Sequence, residues 1–298
     1  MEVTAGGSAH MSSGEISRQK RIAQVKHVLR QIFSHAMLIP LAILFILPFY
    51  WMVSTSLKSD RQVFAWPLVW FPNPIVWQNY PDSIAFFPFW LYLRNTVFIA
   101  ATTVIGAVLS NSLVAYSLGC IRWRGRDILF LIAVATMMIP YQVVMVPLFI
   151  TFSKLNWVGT WLPLIVPSFF SGAFFVFLLR QFFRTIPNDL IDAGKIDGAA
   201  HPRIFAQIVL PLAKPALFTV GLFQFLNSWS DFTGPLIYLS DSKMYTISLG
   251  LQFFRLQHDT MWQKLMAASV MLTVPIIILF FFTQRTFIQG ITMTGIKG

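Results

Sequence analysis

The segment from Asp192 to Pro215 brings charged and small residues together between two long apolar runs of the sequence. Asp192, Lys195 and Asp197 can form ion pairs with another protein, whereas ionised groups are costly inside a lipid bilayer. The apolar residues of the same segment recur at helical spacing. These residue types therefore offer docking to another protein, through ion pairs and close packing, rather than catalysis.

The sequence shows no pattern that is typical of a catalytic or metal site. The five histidines are scattered without a pair at ligand spacing, and Cys120 is the single cysteine. An intrachain disulfide and a cysteine-based metal site are therefore excluded. No P-loop sequence occurs that could hold nucleotide phosphates, and no Ser/His/Asp set is evident. We expect no catalytic residue, no metal and no cofactor bound by this chain.

Two short helices joined by a glycine turn are predicted for this segment. Asn188 can cap a helix that begins at Asp189, where acidic residues suit the positive end of the helix dipole. Gly198 can adopt a positive φ angle, and Pro202 suits the first position of a second helix. One face of the pair carries small residues, namely Ala193, Gly194, Gly198, Ala199 and Ala200. Another protein could approach that face closely, or the face could pack on its own bundle, and the residues favour the two equally.

The composition places the chain in the membrane class. Of its 298 residues, 56% are hydrophobic and 11% are charged, whereas a soluble domain has about 25% charged residues. The basic residues form no patch with interleaved aromatic side chains, so we expect no nucleic acid partner. Six runs have, or come close to, the roughly 20 apolar residues that cross a bilayer as a helix. They cover residues 36–53, 96–118, 128–150, 161–179, 215–239 and 265–283.

Lysine and arginine residues set the expected orientation of these runs. If the N-terminus is cytoplasmic, the inner segments hold about twice as many Lys and Arg residues as the outer segments, which fits the positive-inside rule. We therefore expect an all-α integral membrane protein with six transmembrane helices and cytoplasmic N- and C-termini. Residues 1–31 would form a polar cytoplasmic tail and residues 32–298 the membrane domain. The docking segment, residues 185–213, would lie in the cytoplasm between spans four and five.

The spacing in this segment resembles the EAA signature of ABC importer permeases. That signature is Glu-Ala-Ala, three residues, Gly, nine residues, Ile, one residue, and Leu-Pro. This chain has Asp192-Ala193-Gly194, then Gly198, Ile208 and Leu210-Pro211, at the same intervals. It departs from the signature in having Asp for Glu and Gly for the second Ala. We call residues 185–213 the EAA-like loop.

Two further segments resemble the carbohydrate-importer branch of these permeases, in particular the smaller membrane subunit of maltose-type systems. They are Ser228–Asp241 and the tail Gln284–Gly298. The resemblance implies a multi-pass permease of the bacterial cytoplasmic membrane that translocates a sugar or oligosaccharide by alternating access. It implies as partners a second permease subunit, a dimer of ATP-binding subunits that binds ATP and Mg, a periplasmic or extracellular substrate-binding protein, and the lipid bilayer.

The resemblance also assigns a role to the EAA-like loop, which in the family sits in a groove of the ATP-hydrolysing subunit. The residues that it implies for this docking are Asp192, Ala193, Gly194, Lys195, Asp197, Gly198, Ala199 and Arg203.

Polar and aromatic residues within the apolar runs are candidates for a substrate path. They are Asn111, Tyr116, Tyr141, Gln142, Asn227, Trp229 and Asp231. An acidic group within an apolar run is by default a functional hypothesis. Hydrogen bonding between helices is nevertheless the more common role of polar groups there. For Asp231, on the fifth run, we favour a structural role over substrate contact.

Two other functions compete with the ABC permease. A secondary transporter would work without an ATPase partner, but it normally needs buried ionisable groups and paired repeats, neither of which is convincing here. A polytopic membrane enzyme would need clustered Asp, His or Lys residues. The only candidates are Asp189, Asp192 and Asp197, which the EAA-like spacing explains better.

Overall fold

The computed structural model describes residues 13–255 and 260–295, and nearly all of this part is helical. Its α-helices are α1 Ser13–Ser56, α2 Asp60–Val63, α3 Asn79–Phe86, α4 Phe89–Gly119, α5 Arg126–Thr136, α6 Tyr141–Lys154, α7 Leu162–Ile165, α8 Ala173–Phe183, α9 Asn188–Ile196, α10 His201–Ile204, α11 Leu210–Leu212, α12 Lys214–Trp229, α13 Thr233–Tyr238, α14 Ile247–Gly250 and α15 Trp262–Gly295. Shorter turns are the 3₁₀ helices Val166–Phe170, Ser242–Met244 and Leu251–Phe254 and the π-helix Phe205–Val209. Among the described residues there is no strand, only an isolated bridge between Arg255 and Thr260.

Residues 1–54 form one compact unit and residues 55–298 a second. The first unit holds most of α1, whose stretch Lys26–Ser56 has a mean hydropathy of 2.2 and is long enough to cross a bilayer. Pro40 and Pro48 lie inside this helix without ending it. The helix already begins at Ser13, so much of the predicted polar tail is helical. Residues 1–12 of that tail lie outside the described residues, as do residues 296–298 of the C-terminal segment.

Helix α4 is the centre of the second unit, where it packs mainly along α12 and α8. Small side chains on α4 allow this close approach, since Ala100, Ala107 and Ala115 are at most 1% exposed. Leu179 of α8 and Val220 of α12 are completely buried nearby. In a bilayer, contacts of this kind stabilise helix association through close packing, because lipid tails are as apolar as leucine.

Two pairs of neighbouring helices are separated by sharp bends. Arg126–Thr136 and Tyr141–Lys154 meet at 98°, next to Pro140, and His201–Leu212 meets Lys214–Trp229 at 80°. Within the described residues, four helices are long and apolar enough to cross a membrane, or up to six if each bent pair is one span. The expected run 128–150 is therefore divided, and the helix in the run 215–239 ends ten residues early, at Trp229.

Polar side chains near the start of α4 bind backbone groups of the segment that leads into α14. The Asn95 amide donates to the carbonyl oxygens of Lys243 and Tyr245, at 2.9 and 3.0 Å. The Thr96 hydroxyl accepts the Ile247 N–H at 2.9 Å. These bonds satisfy backbone groups that have no helical partner, which is required wherever water is excluded.

The middle of α4 supports a second interruption, at the start of α8. Ser171 has a φ of 63°, and the chain extends through Gly172 before α8 begins. The Asn111 side-chain oxygen accepts the Gly172 N–H at 2.7 Å, and the Ser110 hydroxyl donates to the Ser168 carbonyl at 3.0 Å. The span Leu162–Phe183 can therefore be irregular because α4 replaces the hydrogen bonds that it lacks.

A cluster of buried aromatic rings surrounds α14 in the second unit. Phe87, Phe89, Tyr92 and Phe254 are buried there with Ile247. The ring centroids of Phe87 and Phe254 lie 5.6 Å apart at a right angle, an edge-to-face arrangement that aromatic pairs favour. This packing leaves no space for a side chain at the end of α14.

Replacing Gly250 by Ala is expected to lower the unfolding temperature of the detergent-solubilised protein. A Cβ atom there would lie 2.7 Å from the Tyr92 ring and 2.8 Å from the Phe87 ring, both buried. Overpacking of this kind typically costs about 1–3 kcal/mol. The matched control is Gly221→Ala, whose Cβ would meet two valines of α4 at 3.6 and 3.7 Å, an ordinary contact. Equal unfolding temperatures for the two variants would contradict the packing.

Candidate functional site

The EAA-like loop forms two helices, α9 and α10, that are joined by a glycine turn. Gly198 has a φ of +76°, as predicted, and Pro202 lies in the first turn of α10. The predicted cap is wrong, because Asn188 is itself the first residue of α9 and Pro187 occupies the cap position without a side-chain hydrogen bond. The proline fixes its own φ angle and thereby sets the start of the helix one residue earlier than expected.

One face of α9 packs against its own chain. Ile191 is 3% exposed, and Gly194 is buried. A Cβ atom on Gly194 would lie 3.0 Å from the δ1 methyl of Ile208 and 3.3 Å from the γ1 carbon of Ile204. The glycine that replaces the second Ala of the signature therefore lets the two helical segments approach closely. Part of the small-residue face packs on its own bundle, which was one of the two alternatives.

The opposite face of α9 is exposed and mixes apolar with charged groups. Ile196 is 87% exposed and Leu190 is 44% exposed. The other exposed members of the predicted docking set are Asp192, Ala193, Lys195, Asp197, Gly198 and Arg203, whereas Ala199 is partly buried. This face therefore offers both a large apolar anchor and charges of both signs to a partner.

The charges on this face are fixed by short local bonds. Lys195 donates to the Asp192 carboxylate at 2.8 Å, and its hydrogen bond and charge hold the pKa of that carboxyl below its usual value. Asp192 is therefore ionised at neutral pH. Arg203 donates to the Gln207 side chain at 2.9 Å, one helical turn further along. The sequence did not predict that the acidic residue of the signature pairs within its own helix.

Tyr116 supports the loop from α4. Its hydroxyl lies 3.1 Å from Nδ1 of His201, and its ring centroid lies 5.1 Å from that of Phe205. Tyr116 was predicted for a substrate path, but the structure places it beside α10. A polar cavity of about 170 Å³ adjoins it, lined by Cys120, Ile121, Arg122, Asn188, Ile191, Asp192, Lys195 and His201.

Arg180 of α8 joins three helices next to the loop. Its side chain is buried, donates to the Leu118 carbonyl at 3.0 Å and forms an ion pair with Asp127. Its guanidinium also lies 3.8 Å from the centre of the Phe130 ring, within range for a cation–π contact. Sequence reasoning missed this role, although an arginine directly after the apolar run 161–179 was a signal for it.

A second candidate site is a cavity of about 570 Å³ within the second unit. It brings together Tyr141, Asn227 and Asp231, which were predicted for the substrate path from two separate runs. Its other lining residues are Ile99, Thr103, Leu164, Gln224, Ser228, Pro235 and Thr246. Thr103 and Thr246 could not have been predicted, because a single hydroxyl in an apolar segment carries no distinctive signal.

Asp231 lies beyond the end of α12, not on the fifth helix as expected. Its carboxylate accepts the N–H of Gly234, in the first turn of α13, at 3.0 Å. A Cβ atom on Gly234 would lie 2.9 Å from a methyl of Leu164 and still closer to the other carboxylate oxygen of Asp231. The absence of a side chain at Gly234 therefore leaves room for the Asp231 carboxylate at the cavity wall. The carboxylate bonds to the Gly234 N–H and also lines the cavity.

The other residues predicted for the substrate path do not line this cavity. The side-chain NH₂ of Asn111 donates to the Ala107 carbonyl at 2.6 Å, while its side-chain oxygen accepts the N–H of Gly172, the residue before α8. The Trp229 indole donates to the Leu272 carbonyl at 3.1 Å and joins α12 to α15. Gln142 is exposed at the start of α6. In the described part of the chain, no three His, Cys, Asp or Glu side chains are placed to hold a metal ion.

Comparisons with known proteins agree with this architecture. The family model described as "Binding-protein-dependent transport system inner membrane component" matches residues 111–293. The chain is 38% identical over 210 residues to the arabinooligosaccharides transport system permease protein AraQ of Halalkalibacterium halodurans, covering 70% of this chain and 75% of the relative. It is 30% identical over 279 residues to the trehalose/maltose transport system permease protein MalG of Thermococcus litoralis, covering 92% and 99%.

The fold is also similar to that of a solved structure. This is a chain of a bacterial ABC transporter involved in the import of the acidic polysaccharide alginate, with a TM-score of 0.74 and 23% sequence identity. The match covers 93% of this chain and 99% of the other. At this identity the likeness concerns the fold.

The close contact at Gly194 is expected to appear as energetic coupling. Gly194→Ala adds a methyl group that crowds Ile208, and Ile208→Val removes the crowded δ1 methyl. Gly194→Ala should therefore be more favourable in the Ile208→Val background than in the parent, by about 0.5–3 kcal/mol. Denaturant unfolding of the four proteins measures the difference. Gly221→Ala in the same two backgrounds is the control and should show no coupling. Additive effects at Gly194 would overturn the contact.

Proposed function

This chain belongs to the family of binding-protein-dependent transport system inner membrane components, and on that premise we propose that it carries a sugar or oligosaccharide as one permease subunit of an ATP-driven importer. The relatives named for arabinooligosaccharides and for trehalose and maltose support a sugar as the substrate class. The observation that carries the proposal is the exposed face of α9, since it lies on a helix pair that packs against the helices lining the cavity.

The proposed membrane arrangement has six spans and cytoplasmic termini. It counts the bent pair Arg126–Thr136 and Tyr141–Lys154 as one span. It takes the fifth span to begin at Lys214, after the bend that separates Lys214–Trp229 from His201–Leu212. The excess of Lys and Arg residues in the segments that would then be cytoplasmic supports this orientation. The EAA-like loop lies in the cytoplasm in this arrangement, within a single permease domain of residues 32–298.

The exposed face of α9 is proposed to dock on an ATP-binding subunit. Ile196 and Leu190 are large apolar side chains in contact with solvent, and such side chains are favoured anchors once a partner covers them. Asp192 and Lys195 beside them can pair with charges at the rim of a groove, which would contribute to specificity and to the rate of association. Asp197, Gly198 and Arg203 extend the same surface around the turn.

Motion of the loop can reach the cavity through the packed core. Ile204 of α10 and Val209 of the π-helix are buried in one cluster with Val220 of α12. Helix α12 carries Gln224 and Asn227 to the cavity wall. Because packed helices move as rigid bodies about bends rather than deform continuously, a shift of α10 would tilt α12 about the bend that precedes it. The cavity would then change between inward-open and outward-open forms.

The remaining partners follow from this mechanism. A dimer of ATP-binding subunits would bind ATP and Mg, since this sequence has no P-loop of its own. A second permease subunit would complete the path. A substrate-binding protein outside the membrane would deliver the ligand, as the description of the family indicates. No chemical step is assigned to this chain.

Ile196→Arg is expected to remove the ATP-binding subunits from the complex when this chain is purified from its native membranes. Ile196 is almost fully exposed, so the substitution should not affect folding, whereas a partner would have to bury the new charge, which is costly without a counter-ion. Co-purification followed by protein identification is the measurement. Loss of about tenfold or more of the bound ATP-binding subunit is expected, which corresponds to the loss of one apolar anchor.

The matched control is Leu155→Arg, the same type of change at an apolar residue that is 51% exposed at the end of α6, on the opposite side of the membrane in the proposed arrangement. It should retain the ATP-binding subunits. If the intact chain purifies without an ATP-binding partner and still transports, the importer proposal is wrong and a secondary transporter becomes the better explanation.

A further inference from the structure

We propose that Asp231 restricts the cavity to uncharged, hydroxyl-rich molecules and excludes anionic sugars. Its carboxylate would accept hydrogen bonds from substrate hydroxyl groups and repel carboxylate, phosphate or sulfonate groups. The inference rests on the proposed function, because it takes the cavity to be part of the sugar path. Beyond the proposed function, it specifies that the substrate is uncharged and that Asp231 is the residue that selects for this.

The charge of the cavity wall supports this selection. Asp231 is the one acidic residue among the ten that line the cavity, and no Lys, Arg or His belongs to that set. Within the described residues, no cation forms a salt bridge with Asp231. An anionic ligand would therefore meet an uncompensated negative charge in a partly enclosed space, where charge repulsion is stronger than in water.

The hydrogen-bonding capacity of the wall fits hydroxyl groups. An ionised carboxylate offers about four acceptor positions, and the carboxylate of Asp231 also accepts the Gly234 N–H. Gln224, Asn227 and Ser228, on the last turns of α12, have side chains with no hydrogen bond to another described residue. Their amide and hydroxyl groups can donate to and accept from the hydroxyls of a sugar. The remaining acceptor positions of Asp231 would take hydroxyl donors.

The shape of the cavity also fits a small part of a sugar chain. Its volume of about 570 Å³ is typical of small-ligand sites, which have about 300–1,000 Å³. Tyr141, a residue that is 44% exposed, lies at the wall, and its aromatic ring gives an apolar face beside the polar groups. The position of Asp231 is fixed because the bond to Gly234 and the absence of a side chain at Gly234 hold its carboxylate at this place.

The likeness to known proteins does not decide the charge of the substrate. The solved transporter of similar fold is involved in the import of an acidic polysaccharide, and two relatives at 31% identity are named for sulfoquinovosyl glycerol and sn-glycerol-3-phosphate, which are anionic. The two relatives described above are named for neutral sugars. The cavity of this chain therefore carries the argument, and it favours the neutral class.

The test compares two disaccharides of similar size with the complete importer complex purified from membranes. Arabinobiose is the uncharged probe and digalacturonate is the anionic probe. Ligand-observed NMR detects even millimolar binding of each. The intact complex is expected to bind arabinobiose at least about tenfold more tightly than digalacturonate, and Asp231→Asn should reduce that ratio by about tenfold, mainly by admitting the anion.

Asn keeps a side-chain oxygen that can accept the Gly234 N–H, so the variant retains this bond to the first turn of α13. The control is Asp82→Asn, which removes one negative charge from a half-buried position outside the cavity, where Asp82 pairs with Lys264, and it should leave the ratio unchanged. If the intact complex binds both probes equally, or if Asp231→Asn leaves the ratio unchanged, the selection by Asp231 is wrong while the sugar importer stands. If neither probe binds, the proposed sugar path through this cavity falls as well.

Discussion

The structure depends on one constraint: backbone groups at each break in a helix must find hydrogen-bond partners inside the protein, since a bilayer offers none. Helix α4 supplies these partners. Asn95 and Thr96 bind the chain before and at the start of α14, and Ser110 and Asn111 bind the chain before α8. The apolar spans can therefore be interrupted beside the cavity and before α8. At each interruption, hydrogen bonds from α4 replace helical backbone hydrogen bonds that are lost.

Helix α4 also contacts both candidate sites, the cavity and the EAA-like loop. Ile99 and Thr103 of α4 line the cavity, and Tyr116, about three and a half turns beyond Thr103, contacts His201 in the EAA-like loop. Helix α12 makes a parallel connection, with Val220 in the core shared with α10 and Asn227 at the cavity wall. Two long helices therefore link the surface proposed for the ATPase to the space proposed for the sugar.

The two sites use charge in different ways because their surroundings differ. Asp192 lies on an exposed face and is paired with Lys195 in the same helix, so it can exchange this partner for another at little cost. Asp231 lies at the wall of a partly enclosed cavity with no cation beside it among the described residues. A carboxylate there has a strong effect on whatever enters, which is why the proposed selection of neutral sugars falls on it. Family membership gives the type of transporter, and the lining of the cavity is the basis of the proposed class of its cargo.

The amino-acid sequence by itself determined the membrane class, the family and the local shape of the EAA-like loop. These depend on composition and on short-range spacing: the low share of charged residues, the helical periodicity, the positive φ of Gly198 and the proline that opens α10. The prediction that Asn188 caps α9 was wrong. Pro187 and Asn188 are both possible at the cap position, and the local sequence does not decide between them.

Only the tertiary structure decided which polar side chains face a cavity and which bind the backbone. Asn111 and Asn227 are the same residue type in similar apolar runs. The side-chain oxygen of Asn111 accepts the Gly172 N–H, whereas the side chain of Asn227 lines the cavity. Asp231 lies outside the helix predicted for it because α12 ends at Trp229, whose indole donates to the Leu272 carbonyl of α15. Such outcomes depend on contacts between segments that are distant in sequence, and spacing along the chain does not contain them.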